Sequence, residues 1–390
     1  MNKYLFHNRI LPCLRITQTS PRRLADGFFP VHSRLYILLR QRSVRPAAVL
    51  ALLLVGVPAQ ALTYTFPGNL PATCRAAGVS YICDVLTLAI GDLLSIASPT
   101  TVIVIGDFTA GAGSRINDGG AASDLILQVM GTTDTGKNSS ITANLVGAGV
   151  VTLGSASKFT GDIKTQSAAI NTGDFSTVIG SLKTVVAGVV NIGANNHLTG
   201  NVSTLSGAVN IGANSRVDGS ISSALAGVLS LGAGATVGGN VTTASGAINL
   251  GAGSNVTGFV LDTIAGAVTL GNNAAVGGGV GSNSGSITLG AGSSAAGSVC
   301  SGRSGAITLN DNTLVGGNVK TNEGAITVGD QSSVKGTVSA VSGAVTISPS
   351  AKVGVIGRKI LCPLDKLAMM LKGGGVPVIK SREWRQIFMR

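Results

Sequence analysis

The sequence is poor in large rings and in histidine. Aromatic residues make up 4% of the 390 residues, with one Trp, and there are three His. Together with 56 glycines, this scarcity argues against an ordinary layered core. The glycines do not recur at every third position, which excludes collagen. An apolar fraction of 44% still supplies enough Val, Ile and Leu for a folded chain.

Charge is also scarce, at 11% of residues, and it is unevenly placed. Residues 1–61 contain 9 Lys or Arg and 1 acidic residue, and residues 355–390 contain 8 and 2, which leaves 11 basic and 13 acidic residues between them. The net charge of +12 therefore belongs to the two ends. Because nucleic-acid binding needs a clustered basic face, we do not expect the body of the chain to bind nucleic acid.

The one long apolar run lies near the N-terminus. Three arginines at positions 40, 42 and 45 precede the run from Ala47 to Val57, and the small-residue pattern Ala59-Gln60-Ala61 follows it. This order is typical of a secretory signal cleaved after Ala61, and eleven apolar residues are too few for a membrane-spanning helix. The sequence predicts that residues 1–61 are a leader and signal peptide, and that the protein is exported to the periplasm, the cell surface or the medium.

Cysteine is sparse, with five in the chain. Cys74 and Cys83 flank a short segment that reads as a hairpin, which predicts a disulfide between them, as suits an oxidising compartment. Cys300 and Cys362 each stand alone in the sequence. No further Cys or His lies near enough to predict a metal site.

What the sequence has in abundance is a repeat. Eleven units resembling "GAVNIG" follow one another at spacings of 19 or 20 residues, alternating almost throughout. Their first residues are Gly149, Ala168, Gly188, Gly207, Gly227, Gly246, Gly266, Gly285, Gly305, Gly324 and Gly343. A fixed period of this length is the signature of a solenoid, in which no single unit is stable alone.

The unit that begins at Gly207 shows the pattern. Val209 and Ile211 are a period-two pair that predicts a short strand with both side chains on one face, and Val217 and Ile221 predict inward positions on a second and a third strand. The same offsets are apolar in nearly every unit. The sequence thus predicts an all-β fold, a single-stranded parallel β-helix of 19- or 20-residue coils with three short strands per coil.

Other positions of the unit predict corners and an outer surface. Gly212 and Gly219 fall where the chain must turn, and we expect them to supply the positive φ that such corners often need. Asn210 and its equivalents are Asn, Thr or Ser and point outward, which predicts a hydrogen-bonded ladder along the axis. A regular Thr array could also bind ice, but a single file of Thr is a poor match to a two-dimensional lattice.

The repeats divide the chain into four segments. After the leader, residues 62–145 are strand-like without a strict period and predict an N-terminal β cap with irregular first coils. Residues 146–354 are the regular solenoid. Residues 355–390 lose the period and predict a basic, partly helical tail, in which Leu364, Leu367, Ala368 and Leu371 share one helical face. We expect this tail to be a cap or a loosely docked segment rather than a membrane anchor.

A search for chemistry finds no catalytic, cofactor-binding or metal-binding residues. The acidic residues of the repeats occupy different offsets in successive coils, so they do not stack as a polysaccharide-cleaving site would need. His197 is the one histidine after the leader, at a corner position that we assign to the same column as Ser215 and Ala235. A single histidine base resembling that of hexapeptide acyltransferases would require an 18-residue period and a substrate loop, and the chain has neither. We therefore expect no enzyme activity and no cofactor.

Two resemblances follow from the repeats. Units such as "GAVNIGANSRVDGSIS" resemble those of bactofilins, which implies a β-helix that polymerises end to end as a cytoskeletal filament. The exported start, "YTFPGNLPATCRAAGVSYICDVLTLAIGD", followed by such repeats, resembles the N-terminal region of MSHA pilus biogenesis proteins of the MshQ type, which implies a surface role. We expect an exported, non-enzymatic structural or adhesive solenoid of the bacterial cell envelope whose partners are copies of itself or envelope and pilus proteins. The alternative is a self-polymerising filament protein, and an ice-binding or polysaccharide-active solenoid ranks lower.

Overall fold

A computed structural model of the protein describes residues 60–357, and these form a parallel β-solenoid. The predicted all-β fold, with coils of 19 or 20 residues and three short strands per coil, is confirmed. The predicted leader up to Ala59 and the predicted tail beyond Gly357 lie outside the described residues. No helix in the part of the chain that the structure describes is long and apolar enough to cross a membrane.

The first strands of the coils form a 14-stranded parallel sheet among residues 60–357. Its strands are β4 (Leu86–Leu88), β7 (Phe108–Ala110), β10 (Thr133–Thr135), β13 (Val151–Leu153), β16 (Ile170–Thr172), β19 (Val190–Ile192), β22 (Val209–Ile211), β25 (Leu229–Leu231), β28 (Ile248–Leu250), β31 (Val268–Leu270), β34 (Ile287–Leu289), β37 (Ile307–Leu309), β40 (Ile326–Val328) and β42 (Val345–Ile347).

The second strands stack in the same order. They are β1 (Thr63–Phe66), β5 (Leu93–Ile96), β8 (Arg115–Ile116), β11 (Ser140–Thr142), β14 (Lys158–Thr160), β17 (Thr177–Ile179), β20 (His197–Leu198), β23 (Arg216–Val217), β26 (Thr236–Val237), β29 (Asn255–Val256), β32 (Ala275–Val276), β35 (Ser294–Ala295), β38 (Leu314–Val315), and the starts of β41 (Ser333–Ala340) and β43 (Lys352–Ile356).

The third strands complete each coil and run on into β41 and β43. They are β2 (Cys74–Ala77), β3 (Ser80–Cys83), β6 (Thr100–Val104), β9 (Leu125–Val129), β12 (Asn144–Gly147), β15 (Ile163–Thr165), β18 (Leu182–Thr184), β21 (Val202–Thr204), β24 (Ile221–Ser223), β27 (Val241–Ser245), β30 (Val260–Ala265), β33 (Val280–Ser282), β36 (Val299–Ser304) and β39 (Val319–Glu323). A 3-10 helix at Ala122–Asp124 precedes β9.

Register between the coils follows the sequence period. Ile170 pairs with Val190 and Val190 pairs with Val209, which are steps of 20 and 19 residues. The extra residue of a longer unit is absorbed at the end of the third strand, where the register between β27 and β30 shifts after Thr243. Equivalent side chains therefore lie directly above one another at the inter-strand spacing of about 4.8 Å.

The core is a narrow column of Val, Ile and Leu enclosed by the three stacks of strands. Each coil supplies a few side chains that are almost completely buried, and each contributes about 1.5 to 3 kcal/mol by leaving water. The three bulkiest rings in the core, Phe66, Phe108 and Phe159, all lie in the N-terminal half of the described residues. The regular coils fill their interior with aliphatic side chains, which explains how the chain folds with so few aromatic residues.

The N-terminal end differs from the regular coils. Strand β1 pairs in parallel with β5, whereas β2 and β3 form an antiparallel hairpin whose second strand stacks on β6. The rings of Phe66 and Tyr81 meet edge to face with centroids 4.9 Å apart, which packs β1 against this hairpin. The buried carboxylate of Asp92 accepts a hydrogen bond of 2.7 Å from the Leu62 backbone amide and so holds the start of β1.

Candidate functional site

The most regular surface is the outer side of the 14-stranded sheet. The middle residue of each strand points outward, and register places these residues in one file: Thr87, Thr109, Asp134, Thr152, Asn171, Asn191, Asn210, Ser230, Asn249, Thr269, Thr288, Thr308, Thr327 and Thr346. We call this file the outer ladder. It presents polar groups at about 4.8 Å intervals along the sheet.

Amide side chains join three coils of the outer ladder. The Nδ2 of Asn210 donates to the Oδ1 of Asn191 at 2.8 Å, and the Nδ2 of Asn191 donates to the Oδ1 of Asn171 at 2.8 Å. Asn191 both donates and accepts along the axis, and each of the two bonds stabilises the stack by about 1 kcal/mol. Asn210 thus occupies the outward position assigned to it from the sequence.

The four apolar residues singled out from the sequence line the interior. Val209, Val217 and Ile221 are 0% exposed, and Ile211 is 3% exposed. They belong to three different strands, β22, β23 and β24, of one coil. The structure therefore brings them together from three sides of the core, where their role is packing.

Gly212 and Gly219 lie at corners, but the reason expected from the sequence is wrong. Neither residue has a φ in the left-handed region. A Cβ on Gly212 would lie 2.4 Å from the backbone carbon and oxygen of Gly193, and a Cβ on Gly219 would lie 2.4 Å from the carbonyl oxygen of Gly200. These glycines are required because the backbones of successive coils come too close for any side chain.

The left-handed residues lie two positions after the first of these glycines. Asn195, Asn214 and Asn273 have φ between 56° and 58°, and Gly234 and Gly253 occupy the same position in other coils with φ of 67° and 65°. Asn and Gly are the residues that adopt this conformation at least cost. Asn or Gly recurs at this offset in most coils, and this recurrence was the sequence signal for the corner. Three other residues adopt the same conformation there, with φ between 55° and 59°: Ala156, Phe175 and Gln331.

Two buried polar columns run inside the solenoid, and the sequence reasoning missed both. Thr204 in the third strand donates from Oγ1 to the carbonyl of Gly207 at 2.8 Å, and Ser215 before the second strand donates from Oγ to the carbonyl of Gly193 at 2.8 Å. The equivalents of Thr204 are Thr165, Thr184, Ser223, Thr243, Asp262, Ser282, Ser301 and Thr321. Their constant offset was visible, but a search for apolar positions passes over hydroxyl groups.

Asp262 is the one acidic member of the column that contains Thr204. It is 0% exposed, its Oδ2 accepts a 3.3 Å hydrogen bond from the Gly246 amide, and its Oδ1 has no partner. Burial raises the pKa of the Asp262 carboxyl to about 7, against weaker lowering by the backbone amides of Gly246 and Ile264. A neutral carboxyl can replace a Ser or Thr at this position, whereas a carboxylate is costly there.

The single histidine of the described residues lies in a small surface cluster. The Nε2 of His197 is 2.8 Å from one carboxylate oxygen of Asp218, and the Nε of Arg216 donates to the other at 2.5 Å. The hydrogen bond from His197 lowers the pKa of the Asp218 carboxyl, and Arg216 adds to this effect. His197 stacks on Thr177 and Arg216 and points outward, so its assignment to the buried column of Ser215 was wrong by one residue.

Cys74 and Cys83 lie opposite each other in the N-terminal hairpin and are joined by a disulfide, with their Cα atoms 4.0 Å apart. Cys300, in the third strand of a late coil, is also disulfide-bonded. Among residues 60–357, no three His, Cys, Asp or Glu side chains come close enough to hold a metal ion.

Comparison with known proteins adds no assignment, because no protein-family model, curated protein or solved structure matches the chain. The stacked coils are consistent with β-helix repeats.

Proposed function

We propose that the protein is an exported, non-enzymatic solenoid that serves as a structural or adhesive component of a bacterial cell envelope. The observation that carries this proposal is the unbroken stack of first strands from β4 to β42, every one of which pairs in parallel with the next. Within it the constant inward positions serve packing, and the constant glycines serve close approach between coils. A unit made almost wholly of stacking positions suits a stiff spacer or scaffold.

The proposed export is supported by the N-terminal features. Residues 40–61 carry the order of charge, apolar run and small residues that signal peptidases recognise, and the first described strand, β1, begins two residues later at Thr63. The Cys74–Cys83 disulfide suits an oxidising compartment.

The outer ladder is the surface that supports an adhesive role. It offers a straight file of hydroxyl and amide groups on strands that the stack holds rigidly, and such a file can bind a regular polymer by many weak hydrogen bonds. The exposed Val150, Val189 and Val228 lie beside the ladder, immediately before β13, β19 and β25, and add apolar contact area.

Cell fractionation with N-terminal sequencing tests the proposal. We expect the mature chain to begin at Leu62 and to appear in the periplasmic or surface fraction, and we expect negative-stain images of the purified protein to show single short rods. Recovery of the protein in the cytosol with its leader intact would refute export. A cytosolic maltose-binding protein lacking its own signal, carried through the same fractionation, controls for leakage.

A filament-forming role is the second candidate, and the C-terminal end of the stack favours it. Among the described residues, β42 pairs on one side with β40, and β43 pairs on one side with β41, so each leaves one edge open. Val355 and Ile356 on β43 are 59% and 66% exposed. An open edge of this kind can pair with a second copy. Filaments that lengthen with protein concentration, without nucleotide, would support this role over the first.

A further inference from the structure

Side-chain hydrogen bonds join successive coils in addition to the backbone pairing of their strands. One file of them lies at the corner between the second and third strands, where a side-chain oxygen accepts a bond of 2.8 to 3.1 Å from an amide of the next coil: Asn201, Ser220 and Asn240. The next two corner residues, Phe259 and Gly279, have no oxygen in their side chains, so the file stops there. It resumes where the Oγ of Ser298 accepts a 3.0 Å bond from the Asn318 amide.

A second file of inter-coil bonds is the buried column that contains Ser215. The Oγ of Ser215 donates to the carbonyl of Gly193 at 2.8 Å and accepts from the amide of Asn196 at 3.0 Å, and both partners belong to the preceding coil. Register places Ala274 at the equivalent position, and its methyl group can make neither bond. The members of the column on either side of it have a buried Oγ without a hydrogen-bond partner among residues 60–357: Ser254 and Ser293.

Asp262 interrupts a third kind of link. At the equivalent position of a regular coil, Thr204 donates to the first residue of the next coil. The Oδ2 of Asp262 lies against the corresponding turn, because a Cβ on Gly266 would be 2.8 Å from that atom. The amides that bond to Asp262 nevertheless come from its own coil, at Gly246 and Ile264. An ionised Asp262 has no proton to donate, so it cannot make the link that Thr204 makes.

These three interruptions coincide at one interface, between residues 246–265 and residues 266–284, which we call the seam. The backbone pairs β28–β31, β29–β32 and β30–β33 continue across it. The interface between residues 188–206 and 207–226 has the same backbone pairs and also all three side-chain links, made by Asn201, Thr204 and Ser215. The seam is therefore held by fewer hydrogen bonds than a regular interface of the same stack.

Glycine weakens the far side of the seam further. The coil of residues 266–284 has glycine at positions 277, 278, 279 and 281, around the start of β33. Glycine within a strand has no side chain to pack and loses the most conformational freedom on folding.

We propose that the seam is the place where the solenoid opens first, and that ionisation of Asp262 is the trigger. In the closed state the carboxyl group is buried between two coils and is held neutral. Opening brings Asp262 into water, where its charged form is solvated, and separates the coils from β31 to β42 from those that precede them. The solenoid thus contains a joint that is closed in acid and loosens as pH rises.

No other charged group in the surrounding elements competes with Asp262. The strands packed against β30 are β27, β28, β31 and β33. Residues 219–302 contain all four and include no other Asp or Glu and no Lys, Arg, His or Tyr. Burial raises the pKa of the Asp262 carboxyl to about 7, against weaker lowering by the two backbone amides. Because the opened state has an ordinary carboxyl pKa, opening becomes more favourable as pH rises through the range between the two values.

Amide hydrogen exchange of the full-length purified protein, followed by mass spectrometry at pH 5 and pH 8, tests the seam. Exchange rates are divided by those of the unfolded peptides at the same pH, so that the comparison reports the opening equilibrium. We expect peptides from residues 246–284 to be less protected than peptides from residues 188–226. Protection of residues 246–284 should fall by on the order of tenfold or more from pH 5 to pH 8, whereas residues 188–226 should keep theirs.

Two variants separate the trigger from the weakness of the seam itself. Asp262→Asn keeps the size of the carboxyl group and cannot ionise, so protection of residues 246–284 should no longer depend on pH. Ala274→Ser restores a hydroxyl to the column of Ser215 and should raise protection of the seam about fivefold at both pH values, the effect of one added hydrogen bond. Ala275→Ser is the matched control, because Ala275 lies one residue further on and points outward, and it should leave protection unchanged.

Two results would overturn the proposal. Equal protection of residues 246–284 and 188–226 at pH 8 would show that the seam does not open first. A pH dependence that persists in Asp262→Asn would show that Asp262 is not the trigger. If Asp262→Asn fails to fold by circular dichroism, the two stretches of the wild-type chain compared at the two pH values decide both points, since residues 188–226 contain no buried carboxyl group.

Discussion

The strongest quantitative prediction concerns Asp262, the acidic member of a buried column of Ser and Thr. Its neighbours above and below in register are Thr243 and Ser282, and the Oγ of Ser282 donates to the carbonyl of Gly266 at 2.8 Å. Asp262 cannot make the equivalent bond while ionised, because a carboxylate has no proton to donate. Asp262→Thr should therefore restore the hydroxyl pattern of the column.

The sign of the pH effect follows from the raised pKa. Burial raises the pKa of Asp262 to about 7 in the folded protein, from the ordinary carboxyl value of 3.8. Between these values the folded state binds a proton that the unfolded state releases, so stability is greatest below pH 4 for this group and falls as pH rises to 7. The loss approaches 1.4 kcal/mol per pH unit and totals about 4 kcal/mol by pH 8.

Guanidinium unfolding of the chain from Leu62, followed by circular dichroism at pH 4.5, 6 and 8, measures this effect. We expect the wild-type free energy of unfolding to fall by several kcal/mol over that range and the Asp262→Thr variant to lose most of the decline. The variant should be more stable than wild type at pH 8 and nearly equal at pH 4.5. Glu323→Gln removes an exposed carboxylate and should keep the wild-type pH dependence. An equal decline in wild type and Asp262→Thr would refute the reasoning.

Three further predictions test the stacking of the coils and the N-terminal hairpin. Gly212→Ala should lower the free energy of unfolding by about 2 to 4 kcal/mol, because the added Cβ would overlap the backbone of Gly193. The control is Gly253→Asn, at a left-handed corner with open space, which should change the free energy of unfolding by less than about 1 kcal/mol. Similar values for the two variants would contradict the argument that the coils approach too closely for a side chain at Gly212. Asn191→Ala removes both side-chain amide hydrogen bonds of the outer ladder and should lower the free energy of unfolding in denaturant by about 1 to 2 kcal/mol. Thr288→Ala is the control, at a ladder position without such a bond. Equal values for the two variants would show that these hydrogen bonds do not stabilise the fold. Changing both Cys74 and Cys83 to Ser should speed amide hydrogen exchange in the N-terminal hairpin more than in the regular coils. The free energy of opening the hairpin should fall by about 2 to 3 kcal/mol. An equal increase in exchange across the whole stack would argue against a local cap.

The regular coils could be predicted from the sequence because their inward positions repeat the same residue class. Val209 and Ile211 alternate with Asn210, and that period of two admits a strand and no helix. The constant spacing then aligns each strand with its equivalent in the next coil, so sheet register needs no further information. The same repeat predicts that Val217 and Ile221 point into the core from the second and third strands.

Other features could not be predicted because they depend on distances between coils or on non-repeated segments. The need for glycine at position 212 arises from the approach of Gly193, which is 19 residues away. Thr204 and Ser215 read as surface residues until the backbone carbonyls that accept their protons are placed. Lys320 carries a charge and would be assigned to solvent by any rule based on residue type, yet it is 7% exposed.

Because the register between coils is constant, the number of coils can change by mutation without disturbing the fold. Recombination between the gene segments that encode the units at Gly207 and Gly246 would delete 39 residues, one long and one short unit, and join like to like. The product would be shorter by two coils, about 10 Å, with every remaining contact of the kind already present. Selection can thus change the length of the solenoid in fixed increments of two coils, without a new fold or a new core.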